Sequence, residues 1–154
     1  MTFRSVRIPI IWGVVGIIAT HTSAPSGRAQ ASGTMAAAIS AALDRSAAGW
    51  NAGDLGQFMA VYLDSPRTTY ATHTHYVHGP AAIRAVYADR FAPGAHRDSL
   101  RLVDVTVDSL GPSLATVMAF YVLSRGDSVT ARGPTSLLMQ RVRGTWYIVH
   151  DHSS

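Results

Sequence analysis

The chain has 154 residues and contains no cysteine, lysine or glutamate. Disulfides, thiol catalysis, lipid attachment at cysteine, Schiff bases on lysine and any mechanism that needs Glu are excluded by inventory. The net charge of +4 comes from 13 Arg against nine Asp. Arg4, Arg7 and Arg28 lie in an N-terminal leader, so the remainder is within about one charge of neutral and has no basic run that would mark a nucleic-acid partner.

Arg4 and Arg7 precede an unbroken apolar run over residues 8–19. This positive start and short apolar stretch are the pattern of a secretory signal, too short for a permanent bilayer span. A polar stretch ends in Ala29-Gln30-Ala31, a small-x-small pattern that predicts cleavage after Ala31. The expected organisation is a cleaved signal over residues 1–31 and one mature domain over residues 32–154, periplasmic or secreted, with no stable membrane insertion after cleavage.

In the mature part, Ile39, Leu43, Ala47 and Trp50 recur at the spacing of a helix with one buried face. Asn51-Ala52-Gly53 stops it, and Asp54 with Gln57 has the form of a capping box opening a second helix, with Leu55, Phe58, Met59 and Tyr62 inward. Beyond Pro66, the β-branched and aromatic residues 68–72 read as a strand with residues 76–78 as its hairpin partner. Gly79-Pro80 opens a third helix, with Ile83, Val86, Tyr87 and Phe91 as its apolar stripe and Pro93-Gly94 as its stop.

The rest reads as sheet. Residues 101–109 alternate, placing Val103, Val105 and Val107 on one face and Asp104, Thr106 and Asp108 on the other. Residues 113–125 are apolar on both faces, as a central strand should be. Gly126-Asp127 turns the chain into a long strand over residues 128–142, expected to bend at Gly133-Pro134, and Arg143-Gly144 makes the last hairpin into residues 145–152. Helices first and an antiparallel meander after them predict an α+β fold: a cone-shaped α+β barrel with three N-terminal helices packed on a strongly curved, mainly antiparallel sheet, enclosing an apolar pocket.

Trp50-Asn51-Ala52-Gly53-Asp54, Tyr62, His78-Gly79-Pro80 with Ile83 and Tyr87, and the ending Gly144-Thr145-Trp146-Tyr147-Ile148-Val149-His150-Asp151-His152-Ser153-Ser154 resemble the nuclear transport factor 2-like superfamily, closest to its SnoaL-like branch. The resemblance covers residues 34–154. It implies the same cone, a pocket between helices and sheet, and a homodimer formed through the sheet. Ketosteroid isomerase, a relative on this fold, uses a carboxylate base and a helix tyrosine that would fall near residues 71–73 and 45–47. Neither residue type occurs there, so its mechanism does not carry over.

Strand alternation puts Trp146, Ile148, His150 and His152 on one face of the last strand and Tyr147, Val149 and Asp151 on the other. His150 and His152 are therefore the catalytic candidates, a pair able to exchange protons in an apolar cavity, with the bland alternative that one bonds within the core and the other caps the strand. Asp64 and Asp151 are the carboxylates expected nearby, Asp151 bonding backbone or an arginine at the sheet rim, and Arg90 is expected to pair with Asp89 or Asp64 on the surface or, alternatively, to snorkel to the pocket mouth. Trp50, Tyr62, Tyr70, His73, Tyr87, Met118, Phe120 and Trp146 are the expected ligand-contacting residues, the hydroxyls of Tyr62 and Tyr87 needing polar partners there. His73 and His75 share a face of an extended segment, but a zinc site built on them lacks a second shell, and neither a metal nor a cofactor is expected. The expected partner is a small apolar molecule. The leading function is an exported small-molecule-binding domain with a pocket edged by His. The alternatives are a cofactor-free isomerase, dehydratase or hydrolase using a pocket His as base, and a dimerisation or partner-binding module without a functional pocket.

Overall fold

The structure, a computed structural model, describes residues 27–154. Three helices, α1 (Gly27–Ala52), α2 (Leu55–Met59) and α3 (Pro80–Tyr87), enclose one face of a six-stranded sheet. Its strands are β1 (Thr69–Ala71), β2 (Tyr76–His78), β3 (Ser99–Gly111), β4 (Leu114–Arg125), β5 (Ser128–Val142) and β6 (Thr145–Ser153). Their order is β2-β1-β6-β5-β4-β3, antiparallel throughout except where β1 runs parallel to β6. The predicted α+β cone is the architecture found, with β4 inside the sheet between β5 and β3 as its two apolar faces require.

The expected apolar run of the leader lies outside the described residues. Helix α1 begins at Gly27, so the expected cleavage point after Ala31 falls within its first turns. Among the described residues no helix is long and apolar enough to cross a membrane.

Helix α1 ends where Gly53 enters the left-handed region at φ 77°. The Gly53 N–H bonds to the Trp50 carbonyl and the Asp54 N–H to the Gly49 carbonyl, the paired bonds of a Schellman stop. Asp54 then caps α2 by accepting from the Gln57 N–H at 2.9 Å. The return half of the capping box is missing because the Asp54 N–H is already taken by α1, and the Gln57 amide donates to the Arg45 carbonyl instead. Gly49 makes this tight corner possible, since a Cβ there would lie 2.5 Å from the Phe58 backbone nitrogen.

Ile39, Leu43 and Trp50 on α1, Phe58 and Met59 on α2 and Ile83 on α3 are buried against Val117, Leu137, Met139 and Ile148 of the sheet. Each such side chain contributes roughly 1.5–3 kcal/mol relative to exposure, so the helical stripes predicted from spacing are the ones that hold helices to sheet. The last hairpin turns on Arg143 and Gly144, both at positive φ (50° and 88°), the type I′ geometry that suits strand twist.

Two strands break the alternation expected of them. In β3, Val103 pairs with Phe120 but Thr106 pairs with Met118, three steps against two, with Asp104 at φ 54°. This bulge shifts the parity, so Val103, Val105 and Val107 do not form one face, and Val105 is 36% exposed. In β6, His150 pairs with Leu138 but Ile148 pairs with Met139, which leaves Val149 as an extra residue. A one-residue insertion sends every later side chain to the opposite face. At Gly133-Pro134, where a bend is expected, the ladder to β4 runs without a register shift, with Tyr121 paired to Gly133 and Phe120 to Pro134. Pro134 is accommodated there because its carbonyl, and hence its absent N–H, faces the end of β6, where Ser154 donates to that carbonyl.

Candidate functional site

Between the helices and the concave face of the sheet lies a cavity of about 420 Å³. Trp50, Phe58, Leu100, Leu102 and Leu123 supply apolar wall, and the exposed His73, His75 and Arg90 stand at its mouth. At its floor is Asp151, 5% exposed. The β6 bulge explains its presence: past Val149, Asp151 and Ser153 take over the face that Trp146 and Ile148 occupy before it.

The Asp151 carboxylate is held from three sides. Tyr62 Oη donates to Oδ2 at 2.6 Å, Ser153 Oγ to Oδ1 at 2.8 Å, and Thr135 Oγ1 lies 3.5 Å from Oδ1. Burial nevertheless raises its pKa above the ordinary carboxylate value, and the donors, with Tyr62 first among them, only partly offset that. Among the described residues no buried side-chain nitrogen or oxygen lacks a hydrogen-bond partner. The site is thus a satisfied polar network inside an apolar wall.

Two more tyrosines stand beside this network. Tyr70 sits in register beside Asp151 where β1 runs parallel to β6, and its ring lies 5.3 Å from that of Tyr87 on α3. Tyr87 lines the cavity beside Tyr70 and Tyr62. Burial, followed by the nearby Asp151 charge, pushes the Tyr62 and Tyr87 hydroxyls well above the usual phenol range, and burial raises Tyr70 too. All three therefore remain protonated and act as hydrogen-bond donors and acceptors. A carboxyl raised by burial, joined to neutral phenols, can take or return a proton and can hold an oxygen of a bound molecule.

Of the residues expected at the site, Trp50, Tyr62, Tyr70, His73 and Tyr87 line the cavity. Trp146 is buried in the core away from it. Met118 and Phe120 lie on the opposite face of β4, 49% and 38% exposed, because the cavity takes the other parity of that strand, Tyr121 and Leu123. His150 and His152 are also on the far side of the bulge. His150 Nδ1 is 2.6 Å from Thr69 Oγ1, and His152 is exposed, so the cavity is not edged by this pair. Asp151 bonds tyrosine and serine at the floor rather than a partner at the rim.

The cavity also holds Asp151 and Arg90, expected at the sheet rim and at the surface or pocket mouth, and Ser153 and Thr135, which nothing in the sequence singles out. Strict alternation would send His150 and His152 inward with Trp146 and Ile148; the parity changes at Val149, and nothing in that residue signals a bulge. At the mouth, Thr72 Oγ1 accepts from the Thr74 and His75 N–H groups and fixes the turn that carries His73 and His75. Among the described residues no three metal-ligating side chains gather.

Solved structures share this architecture. A nuclear transport factor 2-like protein of unknown function from Shewanella oneidensis superposes with a TM-score of 0.68 at 23% identity, over 79% of this chain and 98% of that one. A protein of unknown function from Mycobacterium tuberculosis gives 0.70 at 18% identity, over 83% and 75%. A protein from Novosphingobium aromaticivorans, provisionally named a scytalone dehydratase, gives 0.67 at 10% identity, over 81% and 86%. No curated protein matches the chain. The model of the SnoaL-like domain matches residues 16–154, so the chain, whose fold is that of nuclear transport factor 2-like proteins, belongs to the SnoaL-like domain family.

Proposed function

We propose that this chain is an exported domain that binds a small, largely apolar molecule and moves a proton on it through the Asp151 carboxyl, in the manner of a cofactor-free isomerase or dehydratase. The observation that carries the reading is a carboxyl buried at the floor of an apolar cavity, raised by that burial and tied to Tyr62 at 2.6 Å. Such a group accepts a proton from carbon beside a carbonyl and returns it elsewhere, while the neutral phenols hold the oxygen on which negative charge develops. The role assigned to histidine from the sequence thereby passes to Asp151, since His150 and His152 stand outside the cavity.

The reading is testable without the physiological substrate, using 2-tetralone, a bicyclic ketone with acidic α-protons. In deuterium oxide the protein should accelerate deuterium uptake at that carbon, followed by proton NMR. Asp151→Asn should remove the acceleration, and His150→Ala with His152→Ala should leave it. Acceleration lost in the histidine variant and kept in Asp151→Asn would return the role to the imidazoles. A purely binding pocket is the second reading, favoured by the fact that both Asp151 oxygens already accept from protein hydroxyls; it requires that the ketone bind without exchange.

Export is supported by Arg4 and Arg7 ahead of the apolar run and by Ala29-Gln30-Ala31. N-terminal sequencing of the protein recovered outside the cytoplasm should begin at Ser32; an intact residue 1 would mean a retained anchor.

A further inference from the structure

Arg97 and Arg90 lie close together but use their charge differently. Arg97 is a brace: Nε donates to the Trp50 carbonyl at 2.7 Å, Nη1 donates to the Arg90 carbonyl at 2.9 Å, and the guanidinium lies over the Phe91 ring at 4.8 Å. It thereby pins the backbone of Arg90 in the 3₁₀ turn Ala88–Phe91 beside the end of α1. The Arg90 guanidinium makes no ion pair among the described residues. It lies 6.0 Å from the centre of the Trp50 ring and is the one arginine among the described residues that lines the cavity.

A guanidinium above an aromatic wall is cheap to keep while water reaches it. A ligand body seated against Trp50 displaces that water, and the cation then needs a partner that no nearby side chain supplies. At the other end, the Asp151–Tyr62 pair is bonded within the protein and keeps oxygen lone pairs that a ligand hydroxyl can join, and the space between is bounded by Phe58, Leu100 and Leu123.

We propose that the cavity takes a small carboxylic acid of bipolar form: one carboxylate at Arg90, an apolar ring body against Trp50 and the leucines, and a hydroxyl or carbonyl at the Asp151–Tyr62 floor. This rests on the reading of the cavity as a ligand site and narrows its ligand class. A planar guanidinium matches a carboxylate through paired hydrogen bonds. One fixed cation balances one negative charge, and a dianion such as a phosphate monoester would bring a second charge into a cavity that already contains a carboxyl.

The test uses 6-hydroxy-2-naphthoate and its neutral primary amide, titrated against the mature protein and followed by ligand fluorescence. The carboxylate should bind about tenfold or more tightly than the amide. Arg90→Gln should bring the carboxylate to the level of the amide and leave the amide unchanged, and Arg90→Lys should keep part of the preference. Arg84→Gln, on the exposed side of α3, should change neither. Equal affinity of the two probes for the unaltered protein would overturn the anion subsite while leaving the pocket standing. A preference that survives Arg90→Gln, or that disappears in His73→Gln with His75→Gln, would also overturn it. Failure of both probes to bind the unaltered protein would overturn the pocket reading itself, and the subsite with it.

Discussion

Asp151 inside the cone and Asp98 outside it are both held by side-chain donors, yet their carboxyls move in opposite directions. Asp98, just ahead of β3, accepts from Thr130 Oγ1 at 2.6 Å and from Arg125 Nε at 2.8 Å. Those bonds, with Thr130 first, lower its pKa against a small opposing effect of burial. Asp151 accepts from Tyr62 and Ser153 with similar distances but has no cation bonded to it, and burial wins. Hydrogen bonds alone do not set the protonation state of a carboxyl. What decides is whether water or a cation shares the charge. The interior shifts its carboxyl toward the protonated form, and the exterior shifts its own toward the ionised form.

The largest effects should follow from breaking the interior member. Asp151→Ala strands the Tyr62 hydroxyl in the core and should cost about 1–3 kcal/mol in urea unfolding. The pH dependence has a definite sign. Because the folded pKa of Asp151 is raised, its contribution to stability is fullest below the unfolded value and is lost as pH climbs from there through the folded value. Asp151→Asn should therefore abolish that loss, so that its stability relative to the unaltered protein improves as pH rises through the window. Asp98 runs the other way: its contribution is present above the unfolded value and is lost as pH falls through the lowered folded one. Asp98→Asn should flatten the acid side only, by a smaller amount since the Arg125 pair is open to solvent. Identical pH profiles for the two variants would break the contrast between them.

The same division between inside and outside governs how much could be read from the chain. Helix α1 was legible because Ile39, Leu43 and Trp50 keep a 3.6-residue period without interruption, and their burial follows from it. The aromatic wall was legible for a related reason: Trp50 and Tyr87 are large residues on helical stripes, and Tyr62, expected on α2 but bridged to Ile148 just past it, has few other places to go. Strand parity was not legible, because it is a running count that one unpaired residue resets. Val149 in β6 and the step at Asp104 in β3 each reset it. The first exchanged His150 and His152 for Asp151 and Ser153 at the cavity. On β4 the difficulty was different: with apolar residues on both faces, nothing in Met118 and Phe120 distinguished them from Tyr121 and Leu123.

That ambiguity leaves the outer face of β4 with exposed Met118 and Phe120, the latter covered in part by the Arg132 guanidinium, 4.6 Å above its ring, which also bridges to Asp104 at 3.0 Å. Met118→Ser with Phe120→Ser should lower monomer stability by about 1–2 kcal/mol, since Phe120 gives up its cover under Arg132, and should leave binding of the naphthyl probes unchanged, since neither residue reaches the cavity. If the domain is a homodimer joined through the sheet, light scattering should show the mass of the unaltered protein halve in this variant. A mass unaffected by the substitutions would move any dimer contact off this face, whereas weakened probe binding would mean that the two faces of the sheet are not energetically separate.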